Sequence, residues 1–248
     1  MKKPEKHPFT LVYQDEDIIA VNKSAGISVT ADRWNPDEQR LDILLQQSPA
    51  LKDKKLFTVH RIDKDTSGLI LYALNEESHK KLNESFMRRN VQKTYHCLIA
   101  GIPYENFFSV DLKLKSDGDE KHRTIIDKKN GKEALTHFEV LKPLGRFTLL
   151  EAKPVSGRTH QIRAHLAAAG LPILCDSLYG NAKPLFLSEL KKNWRGEKAQ
   201  EQPLISRLAL HAYKLEFEHP RTGTLLSFTA EYARDFKTAL NQLGKIFA

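Results

Sequence analysis

Residues 59–68 read VHRIDKDTSG, a polar loop between two apolar segments that have the pattern of buried strands. Loops held between such strands commonly carry the reactive groups of a protein. Asp63 has Arg61 and Lys64 beside it in the sequence, and these positive charges favour its ionised form. An ionised carboxylate shielded from water is a competent nucleophile. A turn in which the Asp and Ser side chains merely cap backbone amides explains the same residues.

A second polar segment, residues 156–165, reads SGRTHQIRAH and surrounds the start of a predicted helix. Free amides and the dipole at a helix N-terminus favour anions, and arginines strengthen this preference. The segment therefore predicts phosphate contact. A solvated, charged helix start accounts for it equally well.

The rest of the chain predicts many strands and a few helices. Strands are expected at 18–21, 57–59, 69–74, 93–100, 135–141, 147–151, 208–217 and 224–229, and helices at 41–47, 76–89, 158–169 and 232–243. Residues 1–10 are expected to form a flexible tail and 181–205 an irregular, charged insertion. The pattern indicates one α+β domain over 11–248, built on a large, mainly antiparallel sheet.

Composition narrows the class of protein. The 248 residues carry a formal charge of +8, and such a surface attracts polyanions, so that RNA, DNA or an anionic surface is a possible partner. No apolar run is long enough to cross a bilayer, and the N-terminal residues do not resemble a signal peptide. The two cysteines, Cys97 and Cys175, lack the spacing of a disulfide framework or a zinc site. A cytoplasmic protein without bound metal is expected.

Five motifs resemble, in order, those of the RluA-type pseudouridine synthases, which act on ribosomal and transfer RNA. His60–Gly68 resembles the signature HRLD-x-x-TSG of that family. VNKSAG (21–26) resembles the family motif VNKPxG, and KTY (93–95) resembles K-x-Y. GRTHQIRAHL (157–166) resembles GRTHQIRxHL and is followed by the matching segments GLPI (170–173) and DSLYG (176–180). LHA (210–212) and HP (219–220) match the last motifs of the family. The matches run from about residue 11 to residue 230.

The resemblance implies the pseudouridine synthase fold, a mixed, mainly antiparallel sheet with flanking helices and a central active-site cleft. It implies that Asp63 is the catalytic aspartate, Tyr95 the tyrosine that packs on the target base, and Arg163 the arginine paired with the aspartate. Arg61 lies where the family supports the flipped-out nucleotide. Asp65 is the rival carboxylate, and the motif alignment, not local chemistry, ranks Asp63 first.

Further expectations concern the RNA. We predict RNA contacts by His60, Arg61, Thr66, Arg158, His160 and Gln161, and a ribosomal or transfer RNA stem-loop as the substrate. The chain is expected to act as a monomer without a cofactor or metal, and without the basic N-terminal RNA-binding domain of larger relatives. The lysine-rich segments 113–132 and 181–205 are then expected to help choose the target.

Two departures from the family pattern flank its motifs. Ser24 stands where the family has proline, and Cys175 stands where it has glycine. We expect altered loop packing from both, with activity retained.

Two other functions remain open at this point. One is an RNA-binding or folding module that keeps the fold without the chemistry. The other is a hydrolase of N-glycosidic bonds that uses Asp63 and Asp65 as paired carboxylates.

Overall fold

The computed structural model of the chain describes residues 7–31, 38–49, 51–52 and 54–247. The chain divides into two structural units, each with its own packed interior. Unit 1 comprises Met1–Lys93 and Ala212–Glu231, and unit 2 comprises Thr94–His211 and Tyr232–Ala248. The expected division into a tail, one catalytic domain and an insertion stays a prediction.

Twelve strands and four helices are found in the described residues. In chain order they are β1 (Phe9–Gln14), β2 (Ile18–Lys23), α1 (Leu41–Gln46), β3 (Phe57–Thr58), β4 (Ser67–Ala73), α2 (Glu76–Met87), β5 (Gln92–Ala100), β6 (Phe107–Asp111), β7 (Leu114–Lys115), β8 (Ile125–Ile126), β9 (Leu135–Leu144), β10 (Phe147–Pro154), α3 (Gln161–Ala168), β11 (Leu210–Glu218), β12 (Leu225–Thr229) and α4 (Arg234–Ile246).

Unit 1 is built around β4, all of whose residues are buried. Strands β2 and β3 both pair with β4. Strand β1 pairs with β2, and β12 pairs with β11, and all four pairings are antiparallel. Alternate residues of β2 and β4 fill an apolar cluster that Leu82 of α2 and Phe217 of β11 complete. Burial on both faces explains why β4 reads as a continuous apolar run in the sequence.

A polar network joins three turns of unit 1. The Asp17 carboxylate accepts hydrogen bonds from Asn75, the N-cap of α2, and from Arg221, in the turn between β11 and β12. His219 bonds to Asp15 at 2.9 Å. The oxygens and ring nitrogen of Asp15, Asp17 and His219 lie within 4.8 Å of one another. Because Arg221 and His219 already pair with these carboxylates, we assign the cluster to the scaffold.

Unit 2 contains the antiparallel ladders β5–β10, β10–β9 and β9–β6. Its apolar cluster takes residues from β5, β10, α3 and α4, including Leu98, Leu150, Leu166 and Phe236. The short strands β7 and β8 form a separate antiparallel hairpin. Segment 181–205 contains two single turns of 3-10 helix and an antiparallel bridge between Leu185 and Ile205, and is otherwise irregular.

The expected α+β class with a mainly antiparallel sheet is confirmed, and some boundaries differ. Strand β1 begins at Phe9, inside the stretch expected to be a tail, of which residues 1–6 lie outside the described part of the chain. Helix α3 begins at Gln161, so the predicted start at Arg158 is wrong by one turn. No helix among the described residues has both the length and the apolar character that crossing a membrane requires.

Candidate active site

The loop that carries Asp63 is fastened to the turn that follows β2. Lys23 is fully buried, and its ammonium group donates to the carbonyl oxygens of Ser24, Ile27 and Lys64 at 2.8–2.9 Å. The amide of Gly26 donates to the same Lys64 carbonyl at 2.8 Å. A buried ammonium is tolerated where its N–H groups find acceptors, and here three of them do. The peptide group between Lys64 and Asp65, one residue beyond Asp63, is therefore fixed in unit 1.

Asp63 itself is partly buried, whereas Asp65 and Arg61 are exposed. The Asp63 carbonyl accepts the amide of Thr66 at 3.1 Å, which closes a turn over residues 63–66. The Thr66 side chain is buried, and its Oγ1 has no hydrogen-bond partner in the part of the chain that is described. A hydroxyl left in this state costs about 1–3 kcal/mol, so a ligand group or water that bonds to it would be stabilised.

His60 serves the scaffold of the loop. Its Nε2 accepts the backbone amide of Leu71 in β4 at 3.0 Å, and its ring stacks on Phe86 with 5.0 Å between centroids. Burial, aided by the charge of Lys93, lowers the pKa of His60 to about 3. The ring is therefore neutral at physiological pH, with its proton on Nδ1.

Gly68, the glycine of the TSG motif, allows β4 and β11 to approach closely. Its φ is +112°, and a Cβ built on it would lie 2.2 Å from the carbonyl oxygen of Ala212. Only glycine fits both conditions. Within unit 1, the glycine of the TSG motif and Ala212, the alanine of the LHA motif, therefore depend on each other sterically.

Arg163 is held by Asp176 in unit 2. Its Nε and Nη2 each donate to one carboxylate oxygen of Asp176 at 2.8 Å, and both side chains are buried. The amides of Leu178 and Tyr179 also donate to Asp176. Burial acts to raise the pKa of Asp176, but the hydrogen bonds and charge of Arg163 and these amides outweigh it and lower that pKa. The pair occupies two of the five guanidinium N–H groups.

The aromatic ring of Tyr179 packs against the same guanidinium group. Its ring centroid lies 5.1 Å from the Arg163 Cζ, in cation–π range. The Tyr179 hydroxyl accepts the amide of Thr124 at 2.7 Å and donates to the Thr124 carbonyl at 3.1 Å, and His160 Nδ1 lies 3.1 Å from it. Sequence reasoning gave neither Asp176 nor Tyr179 a role, although both lie in the matched DSLYG motif.

Both the oxygen and the nitrogen of the Gln161 side-chain amide form hydrogen bonds. Its oxygen accepts from the Ser156 hydroxyl and the Arg158 amide, and its nitrogen donates to the Leu135 carbonyl and to Thr136 Oγ1. These bonds lie within unit 2 and account for the side chain. The Arg158 Nε donates to a backbone carbonyl, that of Glu133, at 3.3 Å.

Tyr95 lies in β5 opposite Ala152 of β10, partly buried against the apolar cluster of unit 2. Asp63 belongs to unit 1, and Tyr95 and Arg163 belong to unit 2. The predicted grouping of these three side chains in a central cleft therefore stays a prediction.

Both departures from the family pattern have a structural account. Ser24 donates its backbone amide to the Pro8 carbonyl at 3.0 Å and its hydroxyl to the His7 carbonyl at 3.1 Å, and a proline could make neither bond. Cys175 has a φ of +59°, a left-handed conformation that suits glycine. Its Sγ lies 3.2 Å from the carbonyl oxygen of Lys183, a contact that offsets part of the strain.

Known proteins place the chain in one family. A family model described as RNA pseudouridylate synthase matches residues 17–168. An uncharacterized RNA pseudouridine synthase of Chlorobaculum parvum is 35% identical over 98% of this chain and 76% of its own length. Ribosomal large subunit pseudouridine synthase D of Neisseria meningitidis is 32% identical over 97% of this chain and 62% of its own length. The solved structure of human RNA pseudouridylate synthase domain containing 4 superposes with a TM-score of 0.72, at 26% identity over 94% of this chain and 92% of that one. The chain belongs to the RNA pseudouridylate synthase family.

Proposed function

We propose that this chain converts a specific uridine of ribosomal RNA to pseudouridine and that Asp63 is its catalytic carboxylate. The observation that carries the proposal is the structure of the Asp63 loop. The Lys23 ammonium group and the Gly26 amide both donate to the carbonyl oxygen of Lys64, the residue after Asp63, and Asp63 itself is partly buried. A fixed, partly shielded carboxylate suits a nucleophile better than the exposed Asp65 does. Two relatives named for the large ribosomal subunit favour ribosomal over transfer RNA.

The reaction is an isomerisation that requires the base to leave the RNA stack. Extruding a nucleotide costs a few kcal/mol, least where the base is unpaired, as in a stem-loop. The N1–C1′ bond then breaks and a C5–C1′ bond forms, while the hydrogen of C5 is lost and N1 gains one. Asp63 can assist by attack on the sugar or the uracil, or by removing a ribose proton.

Other side chains are proposed to support this step. Arg163 would keep Asp63 ionised and oriented, since an adjacent guanidinium favours a charged carboxylate. Tyr95 would offer a flat face on which the detached uracil rotates. Arg61 and Thr66 would contact the extruded nucleotide.

The remaining predicted RNA contacts divide into two groups. Arg158 is kept as a proposed phosphate contact. The RNA contacts of His60, His160 and Gln161 stay proposed as well, and these three side chains also bond to groups of the protein itself.

The test compares two isosteric changes in the same loop. RNA tritiated at C5 of uridine releases tritium when pseudouridine forms. Asp63→Asn should abolish this release and leave RNA affinity largely intact, whereas Asp65→Asn, the matched control, should retain it. Wild-type turnover by Asp63→Asn would overturn the assignment.

The same assay separates the alternatives. A module that only binds RNA would release no tritium in the wild type, and a hydrolase would release free uracil. An unchanged RNA mass together with tritium release supports the isomerase.

A cytoplasmic monomer without metal or cofactor belongs to the same proposal. Full activity after chelation and a monomer mass in sedimentation would support it.

A further inference from the structure

The hairpin over residues 113–132 of unit 2 is fixed on helix α3. Its strands β7 and β8 pair through Leu114 and Lys115, and a bridge from Leu114 to Lys132 closes its base. Leu114 and Ile126 pack with Ala164, the residue that follows Arg163. The hairpin is therefore a fixed part of unit 2.

The chain leaves β8 through a turn at residues 127–131, which leads back to the base of the hairpin and is held by its own hydrogen bonds. One carboxylate oxygen of Asp127 accepts the amides of Lys129 and Asn130 at 3.0 and 2.8 Å, and the Gly131 amide donates to the Asp127 carbonyl at 2.9 Å. A Cβ on Gly131 would lie 2.3 Å from that carbonyl oxygen, so the turn requires glycine. Lys128 and Lys129 are consequently held at exposed positions.

The positive charge of the hairpin is not neutralised from within. Residues 113–132 contain seven Lys and Arg residues but only four acidic ones, Asp117, Asp119, Glu120 and Asp127. Five exposed lysines form no ion pair within the described ranges of the chain, namely Lys115, Lys121, Lys128, Lys129 and Lys132. A surface of this kind attracts the phosphates of a nucleic acid.

The hairpin also lies next to the proposed reaction chemistry within unit 2. Thr124 donates its hydroxyl to the Thr159 carbonyl at 2.8 Å and its amide to the Tyr179 hydroxyl at 2.7 Å. The ring of Tyr179 in turn packs against the Arg163 guanidinium. RNA bound at the hairpin would thus lie near the part of unit 2 that contains this arginine.

We infer that the turn at residues 127–131 is a contact surface for the phosphate backbone of the substrate RNA, outside the extruded nucleotide. The inference rests on the proposed function and adds a specific anchoring surface to it. Each lysine that neutralises a phosphate releases condensed counterions and steepens the salt dependence of binding. Because these contacts are made before and after the chemical step, they affect affinity and not the rate of a saturated enzyme.

The experiment compares two pairs of exposed lysines in unit 2. Lys128→Gln with Lys129→Gln removes two charges from the turn, and Lys237→Gln with Lys245→Gln removes two charges from helix α4, for which no RNA contact is proposed. Affinity is measured for an unmodified transcript of large-subunit ribosomal RNA at several salt concentrations, with single-turnover rates at saturating RNA. The turn variant should weaken binding and lower the salt slope by about 1.4–1.8, with the saturated rate unchanged. The control should change the slope by far less.

Equal losses in the two variants, or unchanged affinity in the turn variant, would overturn the inference. A third variant, Gly131→Ala, keeps the charge and distorts the turn, so it should also weaken binding while its melting temperature shows that the protein folds. Wild-type protein that binds the transcript but forms no pseudouridine in it would refute the proposed ribosomal substrate. The affinity comparison would still decide the inference.

Discussion

Replacing Asp176 by asparagine should separate the role of Arg163 from general stability. Asparagine keeps the size of the side chain and an oxygen that can accept the amides of Leu178 and Tyr179, but it removes the charge and one acceptor from the bidentate pair. Both partners are buried, with 7% and 0% of their side-chain surface exposed. Removing one member of a buried ion pair costs about 3–5 kcal/mol of unfolding free energy.

Asp235→Asn is a matched control in the same unit. Asp235 holds Arg207 with the same bidentate geometry, at 2.9 and 2.7 Å, but the two side chains are 23% and 15% exposed. Its loss should therefore cost about 1 kcal/mol. Urea unfolding measures both values.

The activity of the two variants should diverge further. If Arg163 acts on the reaction, a guanidinium without its fixed partner loses orientation, and the single-turnover rate of Asp176→Asn should fall about 10- to 100-fold. Asp235→Asn should keep the wild-type rate. A folded Asp176→Asn protein with the wild-type rate would refute the link between this ion pair and the chemistry.

The effect of Asp176 on stability also has a predicted pH dependence. Because its folded pKa lies below the usual 3.8, its stabilising contribution is fully present above that value and is lost as pH falls through the folded pKa. The unfolding free energies of wild type and Asp176→Asn should therefore converge in acid. A difference between them that stays constant down to low pH would show that the carboxylate charge is not its source.

Three further substitutions test the backbone of the motifs. Gly68→Ala should destabilise the protein by several kcal/mol, as measured by urea unfolding, because its Cβ would meet the Ala212 carbonyl oxygen; a loss below about 1 kcal/mol would refute this. Ser24→Pro, which restores the family residue, should lower stability by about 1 kcal/mol because the bond to Pro8 is lost; a stabilised variant would contradict that bond. Cys175→Gly should be about 1 kcal/mol more stable than Cys175→Ala because φ is positive there; the usual order, with alanine ahead, would exclude the left-handed conformation.

The parts of the fold that the sequence predicts are those with local signals. The apolar run 69–74 predicts β4, and the spacing of Leu82 and Phe86 predicts α2, because burial alone determines both patterns. The start of α3 is different. His160 adopts a left-handed conformation and the Gln161 side chain bonds to the Arg158 amide, so the helix is delayed by contacts that periodicity does not record.

The site shows the same division between local and distant causes. Motif order indicated Asp63, Tyr95 and Arg163 as candidates, yet it gave no sign that Lys23 is buried or that Asp176 holds the arginine. Lys23 acts on a carbonyl 41 residues away, and Asp176 acts on a side chain 13 residues away. Such contacts depend on the tertiary structure, and a single sequence contains no periodic signal for them.

The buried ammonium of Lys23 makes two distant segments of the chain structurally dependent on each other. Its acceptors come from both the turn at 24–27 and the loop at 59–68, so their backbone shapes must match each other. Anyone recombining this chain with a relative should transfer both stretches from the same parent, with the intervening sequence from either. Amine-reactive reagents, for their part, should label this lysine last.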